Sequence, residues 1–223
     1  MKGSDTLVSR GRNAKKKGSR YELTIAKRLQ NLTGYVFQRT AYSGAQSSDT
    51  LTDRTFVGDL FAEENSGFDH FNYELKSHDN FTLRNLVLGN GELPSYLKQC
   101  LTDTKLNNNT LPCLILNIKG FFNVVLLPYN SKLFSILDDL DNKLLFSKLF
   151  RYKDERLGSE FCYHMIVTDV DTFGKLTKKQ LDEYYRNTID TFDVLNLGVV
   201  MNKGNGLAEF VGGKEHGSNG KER

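Results

Sequence analysis

Three ionisable residues stand in stretches that otherwise read as apolar β-strands. Asp59 lies in Phe56-Val57-Gly58-Asp59-Leu60-Phe61-Ala62, and Glu74 and Lys76 lie in Phe71-Asn72-Tyr73-Glu74-Leu75-Lys76. Aromatic and β-branched residues at this density favour strands. Successive strand side chains point to opposite faces, so Glu74 and Lys76 project from one face while Tyr73 and Leu75 project from the other. A carboxylate and an ammonium therefore share a surface. If the Asp59 strand pairs alongside, a second carboxylate joins them and makes an oxygen-rich pocket of the kind a hard cation such as Mg2+ favours. That chemistry suits phosphodiester cleavage, which needs an aligned water and a counter-charge for the oxyanionic transition state. Two carboxylates this close repel each other when the pocket is empty, and Lys76 moderates the repulsion.

The elements that must position these groups can be read outward from them. Tyr21, Ile25, Leu29 and Leu32 recur at helical spacing, with Ala26 beside them, and Gly34 ends the run. Ser19 is a candidate N-cap with Glu22 three residues later, as in a capping box. Glu22 also falls on or beside the core-facing stripe, so it is open to two readings, a capping side chain and a carboxylate aimed at the pocket. Tyr35–Thr40 reads as a first strand, followed by the polar loop Tyr42–Ser48, the Asp59 strand, a turn through Asn65-Ser66-Gly67 and the Glu74 strand. From Leu83 to Lys105 the pattern is helical but broken at Gly89-Asn90-Gly91 and Pro94, which predicts a short helix, a loop and a second helix over 94–104. Leu111–Ile118 and Phe121–Leu127 read as two further strands. Residues 131–150 are expected as one amphipathic helix, Cys162–Val170 as a strand, and Lys178–Phe192 as a helix started near Thr177.

The 223 residues, 39% of them hydrophobic, suffice for a buried core. No apolar run approaches the roughly 18 residues that cross a bilayer, and Met1–Asp5 lacks the apolar stretch of a secretory signal. The expectation is a soluble intracellular protein with no membrane partner. Cys100, Cys113 and Cys162 lack zinc-ligand spacing and read as reduced, packed thiols. His78 follows the Glu74 strand without a second ligand spaced with it, and reads as a solvated strand-end side chain. The formal charge is only +3, but Arg10, Arg12, Lys15, Lys16, Lys17 and Arg20 fall together with no acidic residue among them. That run is an electrostatic footprint for phosphate, and DNA is the economical partner beside a carboxylate pocket. Between 131 and 196 twelve acidic residues face ten basic ones, so phosphate contact is not expected there. Six glycines in the last twenty residues read as a flexible tail. The organisation expected is a flexible basic arm over 1–17, a core over 18–130, a C-terminal α/β extension over 131–196 and a tail over 197–223.

With this order in hand, the chain resembles the PD-(D/E)XK nuclease superfamily, and within it the archaeal-type Holliday junction resolvases and related phage endonucleases. The resemblance rests on Lys17-Gly18-Ser19-Arg20-Tyr21-Glu22, Arg39-Thr40-Ala41-Tyr42-Ser43-Gly44-Ala45, Val57-Gly58-Asp59-Leu60, Tyr73-Glu74-Leu75-Lys76, and Tyr96-Leu97-Lys98-Gln99 followed by Leu111–Leu116. It covers roughly residues 17–130, and the ordered set is more specific than the Asp…Glu-x-Lys pair alone. One departure is Gly58, which stands where the superfamily commonly has proline.

The resemblance implies an α/β fold with a restriction-endonuclease-like αβββαβ core, its central mixed sheet flanked by helices. It implies that Asp59 and Glu74 bind Mg2+, with Mn2+ as a substitute and the Leu75 carbonyl helping. Lys76 then positions or activates the attacking water, and Glu22 contributes to the metal site, often through water. Ser43 matches a loop serine implicated in resolvases, with a turn hydroxyl as the plain alternative. Gln99 matches a helix residue that orients the site in some members, although an ordinary exposed glutamine is the simpler account. Arg39 and the cations of residues 10–20 would contact DNA. The activity implied is an Mg-dependent endonuclease on branched or double-stranded DNA, foremost a Holliday junction resolvase acting as a homodimer in recombination or repair. Two alternatives stay open: a restriction-type or replication-associated endonuclease on duplex or flap DNA, and a non-catalytic DNA-binding protein on the same fold.

Overall fold

The computed structural model describes residues 4–40, 58–107, 109–154 and 159–190. Helix α1 spans Ser4–Thr33 and buries Ile25, Ala26 and Leu29, the positions three and four apart that its sequence marks as one stripe. Gly34 ends it at φ +78°, donating its N–H to the Gln30 carbonyl at 2.9 Å. Because α1 starts at Ser4, the expected N-cap at Ser19 is overturned. Ser19 and Glu22 sit inside the helix, so the capping-box explanation of Glu22 falls. The backbone of Arg10–Lys17 is likewise helical and continuous with α1, where a separate arm was expected. Lysine, arginine and alanine all propagate a helix well, and they dominate this stretch.

Strands β1 (Phe37–Arg39) and β2 (Leu60–Ala62) pair antiparallel, with Arg39 opposite Leu60. A single turn of 3-10 helix over Phe68–His70 leads into β3 (Phe71–Ser77), which pairs antiparallel with β2 through Leu60 and Tyr73. Helices α2 (Leu83–Leu88) and α3 (Leu93–Leu106) form the crossover to β4 (Leu111–Asn117), parallel to β3 with Glu74 opposite Leu114. β5 (Asn123–Pro128) returns antiparallel to β4. The first strand, both crossover helices and this last pair fall close to where the sequence puts them.

Beyond Pro128 the chain adds α4 (Ser131–Asp138), β6 (Leu145–Asp154), β7 (Ser159–Asp169), α5 (Val170–Phe173) and α6 (Lys178–Thr188). The single helix expected over 131–150 is a correction: α4 stops at Asp138 and the chain re-enters the sheet at Leu145. Asn142 Nδ2 donates to the Leu137 and Leu140 carbonyls at 3.2 and 3.0 Å, which satisfies the end of α4. The apolar run that follows alternates, with Phe150 buried and Leu149 exposed, as a strand requires. Short apolar runs of this kind do not separate helix from strand by period alone. α6 does start at Thr177, whose hydroxyl and Gln180 form a capping box, although it ends at Thr188. α5 has no counterpart in the sequence reading.

The result is one seven-stranded mixed sheet in the order β1-β2-β3-β4-β5-β7-β6. Residues past 130 therefore contribute strands to the same sheet as β1–β5. On one face, Phe37, Phe71 and Tyr73 from the first strands and Phe68 from the 3-10 turn interlock with Phe173 of α5 and Tyr184 of α6 at ring separations of 5.3–6.1 Å. Edge-to-face aromatic contacts of this kind add stabilisation beyond the area they bury. Tyr73 is fully buried, and its hydroxyl donates to the Phe68 carbonyl at 2.8 Å. α3 covers the opposite face with Leu93, Leu97, Cys100, Leu101 and Thr104, and Asn72 Nδ2 donates to Thr104 Oγ1 at 3.4 Å. All three cysteines are buried thiols.

Candidate active site

Glu74 and Lys76 share the α3-facing side of β3, two residues apart, and their side chains form an ion pair. Glu74 is almost completely buried, while Lys76 is partly exposed and extends toward α3, its ammonium 5.9 Å from the centre of the Tyr96 ring. The ammonium touches Glu74 Oε1 and favours the ionised carboxylate.

Asp59 arrives from the neighbouring strand. It sits one residue before β2 rather than inside a strand over 56–62, and its backbone is locked at both ends: its N–H donates to the Tyr73 carbonyl at 2.7 Å, and its carbonyl accepts from Thr40 N–H at 3.0 Å. Leu75 N–H donates to Asp59 Oδ2 at 2.8 Å, which ties the carboxylate to the residue between Glu74 and Lys76. The close approach of these strands depends on Gly58. At φ +109° it adopts a conformation that proline cannot reach, and a Cβ there would lie 2.7 Å from Asn72 Oδ1 and 2.9 Å from the Tyr73 carbonyl oxygen. The departure from the superfamily's proline is thus built into the backbone.

Both carboxyls hold protons more tightly than usual. Asp59 is pushed up to about 6, by burial first; the Leu75 N–H opposes the shift, repulsion from Glu22 and Asp103 adds to it, and Lys76 opposes it. Glu74 is pushed up to about 7, again by burial first and then by Asp59, with Lys76 pulling it down. Glu22 lies within electrostatic reach of Asp59, is itself buried, and forms an ion pair with Arg39 Nε of β1. Arg39 is thereby engaged by a site carboxylate, which differs from the purely DNA-facing role expected of it.

Asp103 on α3 is the site neighbour that sequence reasoning missed. Its charge raises both Asp59 and Glu74, it is itself raised by burial, and Gln99 one turn earlier hydrogen-bonds to it. Gln99 is exposed and reaches the site's electrostatics through Asp103. Of the expected phosphate contacts, Lys16, Lys17 and Arg20 are exposed on α1, and Lys17 Nζ pairs with Asp79 Oδ1 at 2.5 Å. The side chains of Arg10, Arg12 and Lys15, and all of Ser43, lie outside the described residues. His78 is exposed past the end of β3, 3.5 Å from Glu92.

The donors at the centre are all oxygen, which fits a hard divalent cation and not a soft one. Among the described residues no three His, Cys, Asp or Glu side chains form a metal-holding group by themselves. A cation here would rest on Asp59 and Glu74 supplemented by backbone oxygen and water, as Mg2+ sites commonly do.

A mixed sheet in which two neighbouring hydrogen-bonded strands and the residue leading into one of them present Asp…Glu-x-Lys, with a glutamate helix before them and a crossover helix behind, defines a PD-(D/E)XK nuclease fold. The family model described as "Phage putative PDDEXK endonuclease" matches residues 13–183, more than half of the chain, and the protein belongs to that family. No curated relative and no solved structure matches it. The match runs past residue 130 and includes most of β6, β7 and α6, in keeping with one sheet. Enzymes of this class are endonucleases that act on DNA and generally use divalent metal. No helix among the described residues is long and apolar enough to cross a membrane.

Proposed function

We propose that this endonuclease is Mg2+-dependent and selects branched DNA, with the four-way Holliday junction as its preferred substrate. The observation that carries the reading is the juxtaposition of two carboxylates, the buried Glu74 and the half-buried Asp59, from neighbouring segments of the sheet, with Lys76 against one of them. Asp59, Glu74 and the Leu75 carbonyl would hold Mg2+ or Mn2+, and Glu22 would support it through water. Bound there, the cation supplies Lewis acidity toward water and the scissile phosphate. Lys76 holds a positive charge beside Glu74 and orients the attacking water, and Asp103 with Gln99 sets the field around both acids. A non-catalytic binding protein would have no use for buried, mutually repelling acids, since each costs folding free energy.

Junction preference is supported by the resolvase-like runs Lys17–Glu22 and Arg39–Ala45, and Ser43 belongs to the second. Symmetric cutting of two strands calls for a homodimer. The enzyme would work inside the cell, in host cytoplasm if a phage encodes it. Incubation with four-way junction, flap and linear duplex, with and without Mg2+, tests the reading. Paired symmetric nicks in the junction that require Mg2+ and vanish in Asp59→Asn are expected. Site-specific cutting of linear duplex would favour the restriction-type reading, and binding without product would refute catalysis.

A further inference from the structure

The hairpin between β4 and β5 carries an aromatic side chain that the chemistry above leaves unused. Ile118 O accepts from Phe121 N–H at 3.0 Å, and Gly120 at φ +71° occupies the third position, which makes a type II turn. Nothing in such a turn requires an apolar residue at its fourth position, yet Phe121 stands there 52% exposed. Phe122 lies against it with ring centres 4.4 Å apart and is itself packed on the core, so Phe121 has a fixed base.

The turn's location gives this exposure meaning. β4 runs parallel to β3 with Asn117 opposite Ser77, and Asn117 Nδ2 donates to Ser77 Oγ at 3.1 Å. The turn therefore emerges at the end of β3 that bears Lys76. Lys119 N–H donates to the Phe81 carbonyl at 3.4 Å, tying the turn to the segment after β3. Tyr21, next to Glu22 on α1, donates its hydroxyl to Asn123 Oδ1 at 3.1 Å just beyond the turn. Lys16, Lys17, Arg20 and Lys119 are exposed along this rim, and Lys17 and Lys119 both act on Asp79. An apolar ring on a cationic rim is matched by one kind of partner, a polyanion that also offers flat apolar faces.

We infer that Phe121 stacks on a base face left exposed where the DNA stack is interrupted at the border of the active site, while Lys16, Arg20 and Lys119 hold the flanking phosphates. A continuous duplex keeps its bases stacked and offers the ring nothing. DNA with a gap, flap or branch offers an exposed base face, and each such stack is sequence-tolerant. The inference rests on the nuclease reading of the site and adds the feature by which the substrate is chosen.

The test compares binding, by fluorescence anisotropy in EDTA, of a duplex with a two-nucleotide gap containing 2-aminopurine and of the same duplex without the gap. The parent should prefer the gapped DNA. Phe121→Ala should lose about tenfold in affinity for it, keep its affinity for continuous duplex and lose the 2-aminopurine signal change, whereas Phe121→Tyr should retain all three. Equal weakening on both DNAs, no weakening on either, or a parent indifferent to the gap overturns the inference. Cleavage by the parent in Mg2+ is scored separately. Cutting without dependence on Phe121 sinks the stacking alone, while Phe121-dependent gap binding without cutting leaves the stacking and sinks the nuclease reading. Because the ring is exposed, an unchanged melting curve shows that the alanine variant folds.

Discussion

Replacing Gly58 is the sharpest trial of how the two acids are brought together. Superfamily resemblance alone predicts that Gly58→Pro is harmless or beneficial, while the backbone predicts the opposite. At φ +109° a non-glycine residue bears strain of about 1–3 kcal/mol. Its Cβ would also meet Asn72 Oδ1 at 2.7 Å and the Tyr73 carbonyl oxygen at 2.9 Å, and overpacking typically costs about 1–3 kcal/mol more. The carbonyl cannot retreat, because it accepts from Asp59 N–H and belongs to β3, which is paired on both sides. Gly58→Ala should therefore lose about 4 kcal/mol, which for a domain of this size lowers Tm by about 8–16 °C. Cleavage should fall with it, since Asp59 moves with its neighbour. Adding Asn72→Ala removes one of the two clashes and should restore part of the loss. Gly58→Pro, whose ring fixes φ near −65°, should not reach the folded arrangement at all. Thermal unfolding in EDTA with single-turnover cleavage measures both effects. A Gly58→Pro enzyme as stable and active as the parent would refute the reasoning.

Without metal, the raised carboxyls make the fold sensitive to pH. Asp59 at about 6 and Glu74 at about 7 bind protons more tightly folded than unfolded, so the stability they contribute is present below about pH 4 and lost as pH rises through 6 to 7. Glu74→Gln should match the parent near pH 4 and exceed it by a few kcal/mol at pH 8 in EDTA, while abolishing cleavage; equal stability at pH 8 would count against the burial. Asp103→Asn removes one repulsion from both acids and should move the midpoint of that pH profile downward, and an unmoved midpoint would detach Asp103 from the site. Lys16→Gln and Arg20→Gln should each lower the log-log salt slope of duplex binding by about 0.9. Lys17→Gln should lower it less, because Asp79 already offsets that charge, and three equal decrements would contradict the pair.

The parts of this fold legible in the sequence are those that obey a period. Glu74 and Lys76 announced their shared face through strand alternation, and the crossover helices announced themselves through Gly89, Gly91 and Pro94. Local capping chemistry misled at Ser19, where a satisfactory start signal was overridden by a run of good helix formers upstream. Residues 131–150 misled for another reason: Leu144, Leu145, Phe146, Leu149 and Phe150 fit a helical stripe as well as a strand, and only the antiparallel partner β7 decides between them. Asp103 was invisible as a site member, and Arg39 was legible only as a DNA contact, because nothing local links either to the carboxylates. Their relation is made by α3 lying on β3 and by β1 pairing with β2.

That long-range assembly also sets the charge of the pocket. Among the described residues, Glu22, Asp59, Glu74 and Asp103 form one electrostatic cluster across four separate segments, and the cations set against them are Lys76 on Glu74 and Arg39 on Glu22. With every group ionised, four negative charges face two positive ones. Burial makes that excess expensive, and in the absence of an added cation Asp59 and Glu74 hold their protons to a higher pH than ordinary carboxyls do. The raised carboxyls are thus an expression of that imbalance, whose size equals the charge of a single divalent ion. Arg39 matters here because it neutralises Glu22 and leaves the excess on Asp59, Glu74 and Asp103, which share the single ammonium of Lys76.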